Sequence, residues 1–361
     1  MNEKSTTNRL ALAKVAALVR PALATQDYIK ALTHIKFDGE YATSHNDISA
    51  ISIRCQVAVD RCIPGELLIK ALGSFGAEQI MFQDGKNGAL VLSSGRSKLT
   101  LPTLAAKDFP FDWPSDEDGT EVDLDHAILK GIERCLLSVG TDPTHASQMG
   151  VTLDADDRGH AVLFSTDNFS MSRYQTKTKV KLPGDVPVIL PRFFCEQLVS
   201  LSKAYPDDDM VLVLHDGALL VEFGKAAKLF TKTPVDLQPL DFPSMFLKYV
   251  KLDGIKNKLS VIPDSFDAAF GRALLVLSGE VDKATKVTVD GDSIKLSSTS
   301  SLGDSDDSMS FDGSELDAFH TDPVMIARAV KACALLGFTP KVTILADADA
   351  NFVHLVAHCA A

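Results

Sequence analysis

Pro64-Gly65-Glu66-Leu67-Leu68-Ile69-Lys70-Ala71-Leu72, Pro191-Arg192-Phe193-Phe194-Cys195-Glu196-Gln197-Leu198-Val199 and Pro323-Val324-Met325-Ile326-Ala327-Arg328-Ala329-Val330 are three stretches of one kind. Each opens on proline and continues with apolar residues at helical spacing. Proline suits the first helical position, where its missing N–H would lack a partner anyway. Thr321 or Asp322 can cap the third stretch. The prolines lie 127 and 132 residues apart. One such helix is ordinary, but three at near-constant spacing point to a repeated unit.

Working outward, a strand pattern follows each helix. Gln79–Gly85 leads to Ala89–Ser93, Met210–Gly217 to Leu219–Phe223, and Lys341–Asp347 to Phe352–Val356. These read as hairpins, the first two with Asp-Gly turns. Each copy also has a front half. Arg9–Arg20, Asp125–Val139 and Ser265–Leu277 carry apolar residues at helical spacing, and strands follow around Ile35–Gly39, Val151–Asp154 and Val287–Gly291. The unit is helix, strands, helix, strands, three times over. Its period is far longer than that of a solenoid, so the pattern is a domain triplication. Joins near Asp112–Gly119 and Lys248–Lys258 give domains at 1–118, 119–249 and 250–361. Strand runs set apart from helices predict an α+β fold with antiparallel sheets.

The 361 residues are 45% hydrophobic and 23% charged, an ordinary globular composition. No apolar run reaches the roughly 20 residues of a membrane span, and Met1-Asn2-Glu3-Lys4-Ser5 is too polar for a secretory leader. The six cysteines form no CxxC pair, so neither a zinc site nor a redox motif is expected. Scattered free thiols fit a reducing cytoplasm.

The net charge of −12 argues against nucleic-acid binding through the whole surface. Segregated cations would change that. On the six expected helices (9–20, 64–75, 123–139, 191–204, 263–279 and 321–335) the cations are Arg9, Lys14, Arg20, Lys70, Lys130, Arg134, Arg192, Lys203, Arg272, Arg328 and Lys331. These eleven face eight acids there, a surplus of three that leaves about −15 for the rest of the chain. Either these are ordinary solvated faces, or the helices present cations to one shared polyanion while strands and loops stay acidic.

Gly95-Arg96-Ser97-Lys98-Leu99-Thr100-Leu101-Pro102-Thr103-Leu104-Ala105-Ala106-Lys107-Asp108-Phe109-Pro110 resembles the end of the first domain of bacterial replicative sliding clamps, the beta-type polymerase processivity factors. Lys228-Leu229-Phe230-Thr231-Lys232 with Leu240-Asp241-Phe242-Pro243 resembles the end of that family's middle domain, and Val188-Ile189-Leu190-Pro191-Arg192 matches in place. The resemblance implies three tandem clamp domains with sheets outside and two helices per domain inside. Two chains would form a homodimeric ring, head to tail, with twelve helices around duplex DNA held without regard to sequence. It also implies a DNA polymerase and a clamp loader that bind through short peptides, a cytoplasmic setting, no membrane, no cofactor, no metal and no catalysis. The implied peptide pocket uses Thr166, Asn168, Phe169 and Met171 with Pro243, Leu247, Leu355, Val356 and the C-terminal tail. Asn168-Phe169-Ser170 stands where the family has Gly-His-Arg, and Ala357-His358-Cys359-Ala360-Ala361 where it has a Met-Pro-Met-Arg-Leu-like tail. Such divergence suits a clamp carried by a phage or another mobile element. For Phe169 and Met171 the plain alternative is core packing.

Other constellations carry less. Asp347-Ala348-Asp349-Ala350-Asn351 begins like a calcium loop, but Phe352 and His358 fill the places that need Gly and Glu. Asp304-Ser305-Asp306-Asp307-Ser308 reads as a solvated loop, and Asp154, Asp156 and Asp157 before Arg158-Gly159 as a turn. No GxSxG, HExxH or GxxxxGK[ST] pattern occurs. The competing functions are a ring-forming interaction protein that does not load on DNA, a monomer with a clamp-like fold, and an enzyme with an unrecognised site.

Overall fold

The computed structural model describes residues 5–26, 28–115, 119–234 and 237–359. Asp116–Asp118 of the first expected join and Ala360–Ala361 of the tail lie outside them. Seven α-helices fall among the described residues: α1 Arg9–Val19, α2 Gly65–Ser74, α3 His126–Cys135, α4 Arg192–Ala204, α5 Phe242–Leu247, α6 Phe266–Val276 and α7 Pro323–Val330. None is long and apolar enough to cross a membrane. The chain divides into two compact units, Met1–Leu124 with Glu196–Val235, and Asp125–Cys195 with Asp236–Ala361.

In the first unit, a four-stranded sheet runs Ser5–Asn8, Gln79–Asp84, Leu90–Ser94, Ser97–Leu101. A nine-stranded sheet runs Thr120–Asp123, Met210–His215, Ala218–Phe223, Ala227–Lys232, Ser49–Arg54, Tyr41–His45, His34–Asp38, Asp60–Pro64, Leu104–Ala105. Its seam is the antiparallel pairing of Ala227–Thr231 with Ser49–Ile53, where the sheet of the first repeat continues into the back half of the second. Asn8 caps α1 by accepting the Ala11 amide at 3.0 Å. Leu12, Ala16 and Val19, at i, i+4 and i+7, are its buried stripe.

The second unit repeats the device. Strands Val188–Pro191, Gly150–Ala155, His160–Thr166, Ser170–Lys179, Phe352–Cys359, Leu316–Thr321, Thr285–Val289, Ser293–Ser300 and Gly303–Ser310 form one antiparallel sheet. Here the seam pairs Ser170–Tyr174 with Phe352–Val356. Alternation along Phe352–Cys359 splits the interior in two. Leu355 joins a cluster with Phe164, Met171, Phe242 and Phe246, and Val356 joins another with Phe266, Phe270, Ile326 and Leu345. Asp125 and Asp322 cap α3 and α7 through the Ile128 and Val324 amides at 2.8 and 2.7 Å.

Four expectations need correction. Pro64 and Pro191 do not open helices. Each closes a strand, Asp60–Pro64 and Val188–Pro191, and the helix starts one residue later. Only Pro323 takes the first helical position. The last helix stops at Val330 and not 335, because Leu335–Phe338 is spent on a strand against Val342–Ala346. Asp304–Ser308 is not a loop: it lies in the strand Gly303–Ser310, in register with Ser293–Ser300. The Asp84-Gly85 turn also widens to a longer loop with Asn87 at φ 55°, whereas Asp216-Gly217 is a two-residue turn with Gly217 at φ 72°.

Candidate nucleic-acid interface and partner pocket

The eleven helix cations fall into two groups. Several are occupied. Arg9 donates to the Leu72 and Ala77 carbonyls at 3.0 and 3.1 Å, closing the C-terminal end of α2. Arg20 forks onto Glu66 at 2.7 and 3.1 Å, and Arg272 forks onto Asp307. The Arg134 guanidinium lies 5.9 Å from the centre of the Phe352 ring, and Arg192 reaches the Val139 carbonyl at 3.5 Å. Lys203 is exposed near the end of α4. By contrast Lys14, Lys70, Lys130, Arg328 and Lys331 are exposed and form no ion pair among the described residues. The exposed helix faces mix small side chains, Ala11 and Ala17 on α1 and Ala268 and Gly271 on α6, with exposed Leu10, Leu67 and Leu275. Long, untethered cations suit loose contact with a phosphate backbone.

The expected pocket residues come together only in part. Thr166, Asn168, Phe169, Met171 and Leu355 line one hollow of about 170 Å³, with Ser170, Met245, Lys248, Tyr249, Val342 and Ala357. Pro243, Leu247 and Val356 fall outside it. The helix explains the first two. Phe242 and Phe246 anchor α5 in the core, and at 100° per residue Met245 and Tyr249 fall on one flank while Pro243 and Leu247 fall on the other. Strand alternation explains Val356, whose neighbours Leu355 and Ala357 point to the hollow. Met245, Tyr249 and Val342 were missed because only the 3.6-residue period of α5 and the register of Val342 opposite Ala357 bring them here.

The turn at the pocket's rim is built by Asp167. Its Oδ1 accepts the amides of Phe169 and Ser170 at 3.0 and 2.6 Å and the Ser170 hydroxyl at 3.0 Å. Asn168 takes φ 72°, a region Asn tolerates better than most residues. The turn leaves Phe169 64% exposed, so its ring is a surface group and not core. Met171, at 8%, is core as well as pocket floor. Phe169 and Ala357 also border a second hollow with Val281, Asp282, Lys283, Met325 and Cys359.

No family model matches the chain, and no curated protein matches it in sequence. Solved structures do match, over the whole length. The DNA polymerase III beta subunit of Thermotoga maritima aligns at 16% identity with a TM-score of 0.83, over 99% of each chain. The C. crescentus beta sliding clamp, with polyethylene glycol bound to a putative beta-motif tethering region, gives 19% identity and 0.81 over 100% of each. The Bartonella birtlesii sliding clamp, bound to griselimycin, gives 15% and 0.85 over 100% of each. The chain has the fold of a bacterial sliding clamp. Likeness over full length at such low identity is what remains when packing is kept and surfaces diverge.

The remaining chemistry of this clamp fold is subdued. Among the described residues no three His, Cys, Asp or Glu side chains are grouped to hold a metal. The calcium-like stretch is a turn in which Asp347 accepts the Phe352 amide at 3.1 Å and Asp349 pairs with Lys256 at 3.2 Å. Burial pushes the thiols of Cys55 and Cys62 up to about 12 and about 11, away from nucleophilic character.

Proposed function

We propose that this chain is a DNA sliding clamp: two copies close head to tail into a ring around duplex DNA and tether a polymerase through the Phe169 pocket. The full-length likeness to beta subunits carries this reading. Repeats at 1–118, 119–249 and 250–361 would supply the six domains of the ring, and Lys14, Lys70, Lys130, Arg328 and Lys331 its loose contacts with DNA. Two of the sheet edges left open among the described residues support closure. Ser97–Leu101 ends the four-stranded sheet, with exposed Lys98 on it and Arg96 at its turn. Gly303–Ser310 ends the large sheet of the second unit, with exposed Asp304 and Asp306. An open edge invites another strand, and these two have opposite charge. In the ring the function is topological, so no residue is assigned a chemical step.

The test is retention. Loaded on nicked circular DNA, the protein stays on the circle and leaves when the circle is cut; equal retention on both forms refutes the ring. In solution its mass should be near twice 38.9 kDa. A dimer with no DNA retention would favour a ring-forming interaction protein instead.

A further inference from the structure

The floor of the partner pocket is apolar, but one wall is cationic. Lys248 lines the hollow beside Met245 and Tyr249. It follows the last residue of α5, a place where a cation commonly serves the helix end. Here backbone amides already meet the last carbonyls: Lys248 donates to Met245 at 3.3 Å, and Tyr249 and Val250 donate to Phe246 at 3.0 and 2.9 Å. The Lys248 ammonium is exposed and makes no ion pair among the described residues. Asp241, at the start of the same helix, is held below the usual carboxylate range chiefly by Ser244 and least by Lys248. Asp167, at the rim, turns one oxygen onto three donors of its own turn.

The cationic wall continues beyond Lys248. Val250 and Ile255 are buried in the same cluster as Met171 and Leu355 of the pocket floor, so the segment 248–258 is seated along it. Lys251, Lys256 and Lys258 stay exposed on that segment. Lys256 pairs with Asp349 at 3.2 Å, whereas Lys251 and Lys258 make no ion pair among the described residues. Four lysines and one acid, Asp253, therefore stand within 248–258 of a chain whose net charge is −12. A local surplus of that sign runs against the composition of the whole and lies where a partner would dock.

We propose that Lys248 makes this pocket selective for acidic peptides: a partner segment sets apolar side chains on Met171, Val342 and Leu355 and a neighbouring carboxylate on Lys248, with further acids facing Lys251 and Lys258. The apolar contact supplies most of the affinity, and the charge discriminates between partners. A peptide without acids leaves Lys248 hydrated at little cost, and one carrying lysines is repelled. The proposal rests on the partner-pocket reading above, but not on ring closure or DNA. Lysines beside the exposed Phe169 and Tyr249 rings would also attract single-stranded nucleic acid. The floor disfavours it, since base edges would lose hydrogen bonds on three apolar side chains.

Calorimetric titration of the full chain with three unlabelled peptides tests this. Each carries the same two leucines, flanked by glutamates, serines or lysines. The glutamate peptide should bind about fivefold tighter than the serine peptide and the lysine peptide about fivefold weaker, with the spread shrinking as salt rises. Lys248→Glu should shift the glutamate-to-lysine ratio by about tenfold and leave the serine peptide within about twofold. Phe169→Ala should weaken all three alike. Equal affinity of the three peptides overturns the acidic preference while the pocket reading stands. A ratio that Lys248→Glu does not move overturns the role of Lys248. Binding of none of them, or binding indifferent to Phe169→Ala, overturns the pocket reading together with the proposal. Displacement of the glutamate peptide by oligothymidylate makes the surface a nucleic-acid site and overturns the proposal as well.

Discussion

Exchanging charge between the two open edges is the most direct probe of closure. Lys98 and Arg96 present cations on the exposed row of one edge, and Asp304 and Asp306 present acids on the exposed row of the other. None has an ion-pair partner among the described residues, so their charge is available to a second copy. Opposite charges facing each other across adjacent strands contribute about 0.2–1 kcal/mol each, and like charges oppose pairing by similar amounts. Arg96→Asp with Lys98→Asp would replace two attractions by two repulsions, about 2 kcal/mol at one interface. A two-chain ring closes through two identical interfaces, so the dimer loses about 4 kcal/mol, near a thousandfold in Kd. Sedimentation across a concentration series reads this directly. Asp304→Lys with Asp306→Lys should weaken the dimer alike, and the four changes together should restore most of it. Raising salt should shrink every difference, because the charges sit at the surface. Full dimerisation of either reversed pair, or no recovery in the fourfold variant, refutes this pairing of edges.

Other consequences follow from the same geometry. Phe169→Asp should raise the clamp concentration needed for half-maximal polymerase stimulation by about tenfold or more, as loss of an aromatic anchor does, with the mass in solution unchanged; normal stimulation would move the pocket elsewhere. Lys14→Glu, Lys70→Glu and Lys130→Glu together should flatten the dependence of DNA affinity on salt by about 0.9 per lost phosphate contact. Arg20→Gln should change it less, since Glu66 already occupies that guanidinium; the reverse ranking would exclude the free lysines from the DNA face. Burial pushes His45, His354 and His358 down to about 4, while the unfolded chain protonates histidine near 6.5. The unfolded state therefore binds more protons between those values, so stability is full above about pH 6.5 and declines toward about pH 4. The slope is up to about 1.4 kcal/mol per pH unit for each histidine, and less for half-buried His358. Urea midpoints that stay level from pH 7 to 5 would contradict the burial of these rings.

What was readable in the sequence was periodicity. Leu12, Ala16 and Val19 mark a helix face by spacing alone, and the same spacing recurring three times carries the architecture. Local chemistry misled where two elements meet. Pro64 and Pro191 can end a strand as well as open a helix, since a fixed φ near −65° suits both, and only the partners of Asp60–Pro64 and Val188–Pro191 decide. Asp304, Asp306 and Asp307 read as loop because acids disfavour strands. An edge strand instead keeps its outer row in water, where charge costs little and discourages stray pairing.

The site divides along the same line. Phe169 could be marked through the family resemblance, yet its exposure depends on one hydrogen-bonded oxygen of Asp167 and the left-handed φ of Asn168, neither of which has a period. The buried cluster of Ser138, Ser170, Ser172 and His354 under it was beyond reach. Ser138 follows α3, Ser170 and Ser172 sit two apart on one strand, and His354 stands on a strand about 180 residues later. Sequence shows spacing along the chain. Register shows spacing across it, and across the sheet the neighbour of His354 is Ser172. The buried imidazole therefore faces serine hydroxyls and not a second ligand-type side chain. Its Nδ1 lies 2.9 Å from the Ser172 hydroxyl, and its Nε2 has no hydrogen-bond partner among the described residues.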